Sequence, residues 1–200
     1  MLKEDYNEEL KDKYVQIAKS KIVDKFHVNE STSTKFRNLK QIFFESFKDI
    51  FQENQVEYCP SYATRIFMEE HDRADLYYDS KEFIKRANKK YKVCLVSDAD
   101  TEMIENQVKN FDFDKIFISE NIQSYKGEPN YKIFKEVINH YNIEPYKIIH
   151  IGDSSSDMLG ANRAGIDTCW INRHNYKKKF DIKPEYETES LEELFSILNI

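Results

Sequence analysis

The stretch Ile148-Ile149-His150-Ile151-Gly152-Asp153-Ser154-Ser155-Ser156-Asp157-Met158-Leu159-Gly160-Ala161-Asn162-Arg163-Ala164-Gly165 decides the fold. An apolar run ends in glycine, two carboxylates follow in one short loop, and a segment rich in small residues comes next. That order reads as a buried strand, a turn and a helix. Gly152 permits a tight strand-to-loop turn. Asp153 and Asp157 bring two acidic groups together, as a hard divalent cation requires. Gly160, Ala161 and Ala164 allow the helix to approach the sheet closely. An ordinary turn with one capping aspartate would not need the small-residue helix as well.

The same alternation extends in both directions. Upstream lie the runs Val93-Cys94-Leu95-Val96 and Ile116-Phe117-Ile118, and downstream lies Thr168-Cys169-Trp170-Ile171. Helical segments are predicted over 81–89, 101–110, 130–141 and 158–164. Leu191, Leu194, Phe195 and Leu198 mark a closing helix. Strands are therefore expected near residues 93–97, 115–118, 147–151 and 167–171. Strands that are apolar throughout and separated by helices imply an α/β fold with a parallel sheet covered on both faces. Ligands of such folds bind beyond the carboxyl ends of the strands.

Two other strand ends carry candidate groups. The first run ends in Ser97-Asp98-Ala99-Asp100, where a hydroxyl can donate to a phosphate oxygen. Taken alone, Ser and Asp at such a place usually cap the next helix. The loop after Ile118 contains Ser124-Tyr125-Lys126-Gly127-Glu128-Pro129, with Phe134 on the following helix. Lys126 can present a compact positive charge to an anion, although a single loop lysine is more often solvated.

The chain divides near residue 80 into a helical region, 1–79, and an α/β core, 80–200. In the first region Tyr6, Leu10, Tyr14, Ile17, Ala18 and Ile22 recur with helical spacing. Ser31 to Ser33 offer caps for a second helix, whose stripe is Phe36, Leu39, Ile42, Phe43, Phe47, Ile50 and Phe51. A shorter helix is predicted over 62–70. These stripes read as the core of a helical bundle.

The 200 residues are 40% hydrophobic and 14% aromatic, which excludes a disordered chain. The net charge is -6, and the longest basic run is Lys177-Lys178-Lys179, so no nucleic-acid partner is expected. Cys59, Cys94 and Cys169 form no CxxC pair, which argues against a metal or disulfide role. No apolar run approaches the ~20 residues of a membrane span, and no signal region is visible at the start. No membrane partner and a cytoplasmic setting are the expectations.

Together these segments resemble a known family. Val93 to Ser97, then Lys126 with Pro129 and Phe134, then Gly152-Asp153 with Asp157, and finally Gly160-Ala161 and Ala164-Gly165 resemble motifs two, three and four of the haloacid dehalogenase (HAD) superfamily. The segment Thr168-Cys169-Trp170-Ile171-Asn172-Arg173 resembles members near the two-carbon-haloacid dehalogenases and the small-molecule phosphatases. The resemblance implies a Rossmann-like parallel sheet with a helical cap. It also implies that Ser97 and Lys126 act on a transferring phosphoryl group and that Asp153 binds Mg2+, assisted by Asp157. Asp98 stands where the family often has Asn, in the phosphate-binding loop.

The family's first motif, an apolar strand ending in Asp-x-Asp-x-Thr, has no counterpart before residue 80. Its first Asp would be the nucleophile and its second the general acid and base. Asp98-Ala99-Asp100-Thr101 imitates it, but using that segment would cost the core a strand and a helix. The missing strand belongs at the centre of the sheet, so its absence would leave about 10 Å between the strands ending in Ser97 and Asp153. A start placed too far downstream, a shortened chain or a degraded gene would each produce this pattern. The implied function is a Mg2+-dependent phosphatase of a small phosphorylated metabolite, inactive in this form. The alternatives are a haloacid dehalogenase and a non-catalytic phosphate-binding or interaction module. Substrate and oligomeric state are not legible.

Overall fold

The computed structural model describes residues 8–31 and 35–200. Three helices come first: α1 (Glu8–Ser31), α2 (Leu39–Glu53) and α3 (Pro60–Asp72). The expected stripe falls on α2, where Leu39, Ile42, Phe43 and Ile50 are buried. Phe43 and Phe47 each meet Phe67 of α3 edge to face, a favoured aromatic geometry. Tyr6, at the head of the first stripe, lies outside the described residues, as does Ser33. The cap of α2 differs from the expectation. It is Asn38, whose side chain accepts from the Gln41 amide at 3.0 Å while Gln41 accepts from the Asn38 amide at 3.1 Å. Ser31 still belongs to α1, and Asn38 stands immediately before the stripe with a glutamine at the third helical position, so the capping box forms there.

The core follows as α4 (Ser80–Ala87), β1 (Cys94–Ser97), α5 (Glu105–Val108), β2 (Lys115–Ile118), α6 (Ser119–Ile122), α7 (Lys132–Tyr141), β3 (Ile149–Gly152), α8 (Ser155–Arg163), β4 (Asp167–Ile171), β5 (Tyr186–Thr188) and α9 (Leu194–Leu198). All four expected strands form. The helix expected over 101–110 is broken into a 3-10 turn, Thr101–Met103, and α5. Met103 turns into the apolar cluster beneath the first helices, and Ile104 at φ −133° interrupts the helical ladder. β5 was not foreseen, because three residues carry too little periodicity to read.

All pairing is parallel. β1 pairs β2 with Leu95 opposite Ile116, while β4 lies between β3 and β5. These are two sheets, not one. β1 and β3 do not pair, and no strand among the described residues lies between them. The two sheets nevertheless share their covering layers. On one face, Cys94, Val96 and Ile148 pack on a cluster of Phe117, Phe134, Val137 and Ala161. On the other, Val93, Ile149 and Ile151 pack on Phe83, Ala87, Cys169 and Leu194. Each large apolar side chain so buried contributes about 1.5–3 kcal/mol.

The helical region docks at the carboxyl ends of β1 and β2. Asp100, just after β1, accepts from the Leu39 and Lys40 amides at 2.9 and 2.7 Å, supplying acceptors to the first turn of α2. Glu120, at the start of α6, accepts from the Asn38 side chain at 3.1 Å and from the Thr101 amide and hydroxyl. Tyr125, fully buried, donates to the Arg37 carbonyl at 2.8 Å and packs among Leu39, Ile42, Phe43, Met68 and Met103.

Candidate functional site

The loops after β1, β2 and β3 converge on Lys126. Its ammonium lies 2.5 Å from Asp157 Oδ1, and its backbone amide donates to Asp98 Oδ1 at 2.8 Å. Two glycines allow this closeness. A Cβ on Gly152 would collide with the Asp157 carboxyl, and a Cβ on Gly160 would collide with the Lys126 carbonyl and the Phe134 ring. Gly160 therefore admits the Lys126 loop, while Ala161 and Ala164 pack in the apolar cluster against the strands.

Asp157 is committed on both oxygens. Oδ1 meets Lys126 and also His150 Nε2 at 2.8 Å. Oδ2 accepts from the Ser154 amide at 3.1 Å and its hydroxyl at 2.5 Å, in a capping box that starts α8. Burial alone would raise the Asp157 pKa, but Lys126 and His150 outweigh it and hold the carboxyl far below the usual range. Burial likewise opposes the Lys126 charge, but Asp157, Asp98 and Asp153 prevail and hold the ammonium above its ordinary value. The pair is a fixed unit of opposite charges.

Asp153 differs from Asp157. It is exposed, and its carboxylate makes no hydrogen bond or ion pair with another described residue. The Ser97 hydroxyl, half-buried at the end of β1, is free in the same sense. Lys126 is only 9% exposed, and of its three ammonium donors one meets a described acceptor. Lys126 thus offers two buried N–H donors, while the ends of β1 and β3 carry a hydroxyl and a free carboxylate. Asp98 clamps the Lys126 main chain through Oδ1, and burial raises its pKa.

Mg2+ usually keeps several waters and takes one or two protein carboxylates together with substrate phosphates. Among the described residues no group of three or more His, Cys, Asp or Glu could hold a metal ion. Asp153 fits a largely hydrated Mg2+ shared with a phosphate. Asp157, with both oxygens engaged, can assist only by orienting what surrounds it.

His150, Ser154 and Asp100 are contacts that sequence reasoning missed. Ser154-x-x-Asp157 has the spacing of a capping box and was legible. His150 carried no signal, since its partner is chosen by the turn of the loop.

A model of haloacid dehalogenase-like hydrolases matches residues 4–171. The chain belongs to this family. Among its relatives, the pyrimidine 5'-nucleotidase PynA of Streptococcus pneumoniae is 36% identical over 90 residues, covering 44% of this chain and 37% of PynA. The (S)-2-haloacid dehalogenase 4A of Burkholderia cepacia is 24% identical over 113 residues, covering 54% of this chain and 48% of that protein. Both matches span less than half of the relative's own length. In fold, the chain resembles the magnesium-bound crystal structure of the HAD-hydrolase YfnB from Bacillus subtilis. The TM-score is 0.77 at 23% identity, covering 98% of this chain and 85% of that one. No described helix of this haloacid dehalogenase-like chain is long and apolar enough to cross a membrane.

Proposed function

We propose that the site binds the phosphoryl group of a small phosphorylated metabolite and that the whole protein is a Mg2+-dependent phosphatase. One observation carries this reading: a buried lysine, held charged by Asp157, has two ammonium donors without a described acceptor. Unmatched buried donors are costly, and a phosphate oxygen satisfies them. Ser97 donates a third hydrogen bond from the end of β1. Asp153 is the carboxylate that would hold Mg2+, which would supply charge neutralisation to a bound phosphate. The sequence relationship points the same way, since the nucleotidase PynA is nearer in identity than the dehalogenase.

Ser97, Lys126 and Asp153 position a phosphoryl group, but none of them is placed to attack phosphorus. The pair that imitates the first motif is also engaged elsewhere: Asp98 clamps Lys126, and Asp100 accepts from the first-turn amides of α2. This 200-residue chain therefore acts as a phosphate-binding unit without turnover. A reducing, cytoplasmic setting belongs to the same reading.

Two measurements test it. Inorganic phosphate titrated by calorimetry in the presence of Mg2+ should bind the chain, and Lys126→Met should weaken binding by tenfold or more. Equal affinity in the two proteins would refute the site. With p-nitrophenyl phosphate and Mg2+, no turnover above background is expected. Mg2+-dependent turnover abolished by Asp98→Asn would instead identify Asp98 as the nucleophile.

A further inference from the structure

We propose that Asp98 selects the protonated form of the phosphoryl group. Its second carboxylate oxygen, Oδ2, accepts a hydrogen bond from a P–O–H, so the site takes a phosphate monoanion in preference to a dianion. This rests on the reading of Lys126 as a phosphate ligand and adds to it the residue that sets which protonation state is bound.

Three observations carry it. First, only one oxygen of Asp98 is used. Oδ1 accepts from the Lys126 amide at 2.8 Å, and Oδ2 makes no hydrogen bond or ion pair with a described residue. The residue is half-buried, so water reaches this oxygen incompletely. Burial raises the Asp98 pKa against the opposing pull of Lys126, as expected of a carboxylate short of hydrogen-bond donors. Second, the carboxyl group shares the electrostatic neighbourhood of the phosphate donors. Lys126 and Asp98 act on each other's charge, and Asp157 acts on both. Ser97, whose hydroxyl would hold the same phosphoryl group, is the adjacent residue. Third, carboxylates outnumber cations. The charged groups acting on Asp98 are Lys126 and Glu128 from the loop after β2 and Asp157 from the first turn of α8. Asp153 also acts on Lys126, and Asp100, on the same segment as Asp98, is engaged by the α2 amides.

These constraints choose between ligands. A phosphate dianion brings two charges, and where it carries no proton it offers only acceptors to an oxygen that is itself charged, so the two repel. A monoanion brings less charge and an O–H that Oδ2 can accept, a charge-assisted bond of the strong class. The proton stays on the phosphoryl oxygen, and the remaining oxygens are left for the Lys126 ammonium and Ser97. Sulfate has the shape of phosphate but carries no proton near neutrality, so Oδ2 has nothing to accept from it. Asp98→Asn should remove the preference. The asparagine carbonyl can keep the Lys126 amide, and its NH2 group donates to either anion.

Inorganic phosphate and sulfate are each titrated by calorimetry into the full chain with Mg2+ present. At about pH 6 the protein should bind phosphate at least about tenfold more tightly than sulfate, whereas Asp98→Asn should bind the two within about threefold of each other. Between about pH 7.5 and 8.5 free phosphate is mainly the dianion, and binding must take up one proton. Phosphate affinity of the protein should therefore fall about tenfold across that range, and affinity of Asp98→Asn should not. His150, which hydrogen-bonds Asp157, is common to both proteins, so the difference between their slopes reports Asp98. Sulfate bound by the unchanged protein as tightly as phosphate would overturn the proposal without recourse to a variant, as would equal pH slopes in the two proteins. If phosphate binds but is not distinguished from sulfate, only the role of Asp98 falls. If neither anion binds either protein, the reading of Lys126 falls and takes this one with it.

Discussion

The carbonyl of Lys126 lies against Gly160, in the space that a Cβ on any larger residue would occupy. Lys126 is thus positioned by the absence of a side chain on α8. Gly160→Ala should destabilise the protein by about 1–3 kcal/mol, the usual cost of overpacking, measured by urea denaturation. Alanine is otherwise the better helix former by about 1 kcal/mol. A stabilised variant would show that α8 moves freely away from the lysine loop.

Asp153 and Asp157 should behave oppositely. Asp157→Asn leaves the buried Lys126 ammonium without its counter-charge and should cost about 3–5 kcal/mol in thermal or urea unfolding. Asp153→Asn removes an exposed, unpartnered carboxylate and should change stability by no more than about 0.5 kcal/mol. It should nonetheless weaken Mg2+-dependent phosphate binding. Similar stability losses in both variants would mean that Asp153 is structural.

Asp100 ties the helical region to the core through the Leu39 and Lys40 amides. Asp100→Ala should cost about 1–2 kcal/mol, as the loss of a helix cap does. Hydrogen exchange should quicken first at the start of α2, while β3 and β4 keep their protection. Uniform acceleration across both regions would mean that they unfold as one unit.

Asp79 is fully buried and forms a bidentate pair with Arg173 at 2.8 and 2.9 Å, while also accepting from the Leu191 amide. Burial raises its pKa, but Arg173 and the Leu191 amide outweigh burial, and the folded pKa is lowered. Stability from this group is therefore fully present above the unfolded pKa of about 3.9 and lost as pH falls through the folded value. The stability difference between the protein and Asp79→Asn should be constant near neutrality and shrink only in acid. Shrinkage between pH 7 and 5 would contradict the sign of the shift. Arg173→Leu, which leaves the buried carboxylate without its counter-charge, should cost about 3–5 kcal/mol at neutral pH.

The sequence by itself determined the strand positions, since Val93 to Val96 is apolar without interruption and Ile148 to Ile151 is broken only by His150, the pattern of strands covered on two faces. It also singled out Ser97, Lys126 and Asp153 as candidates, because they lie at or beyond the carboxyl ends of β1, β2 and β3, the side on which parallel folds bind ligands. The aromatic stripe of α2 was equally plain, being a local period. Tertiary structure decided the partners. Asp157 reads from sequence as a twin of Asp153, yet the turn after Gly152 swings it onto Lys126 and His150 and leaves Asp153 alone at the opening. Asp100 reads as part of a reactive pair with Asp98, yet docking of α2 makes it a cap. Spacing along the chain fixes which element carries a carboxylate. Which donors it meets depends on backbone that arrives from elsewhere, and buried charges go where those donors are.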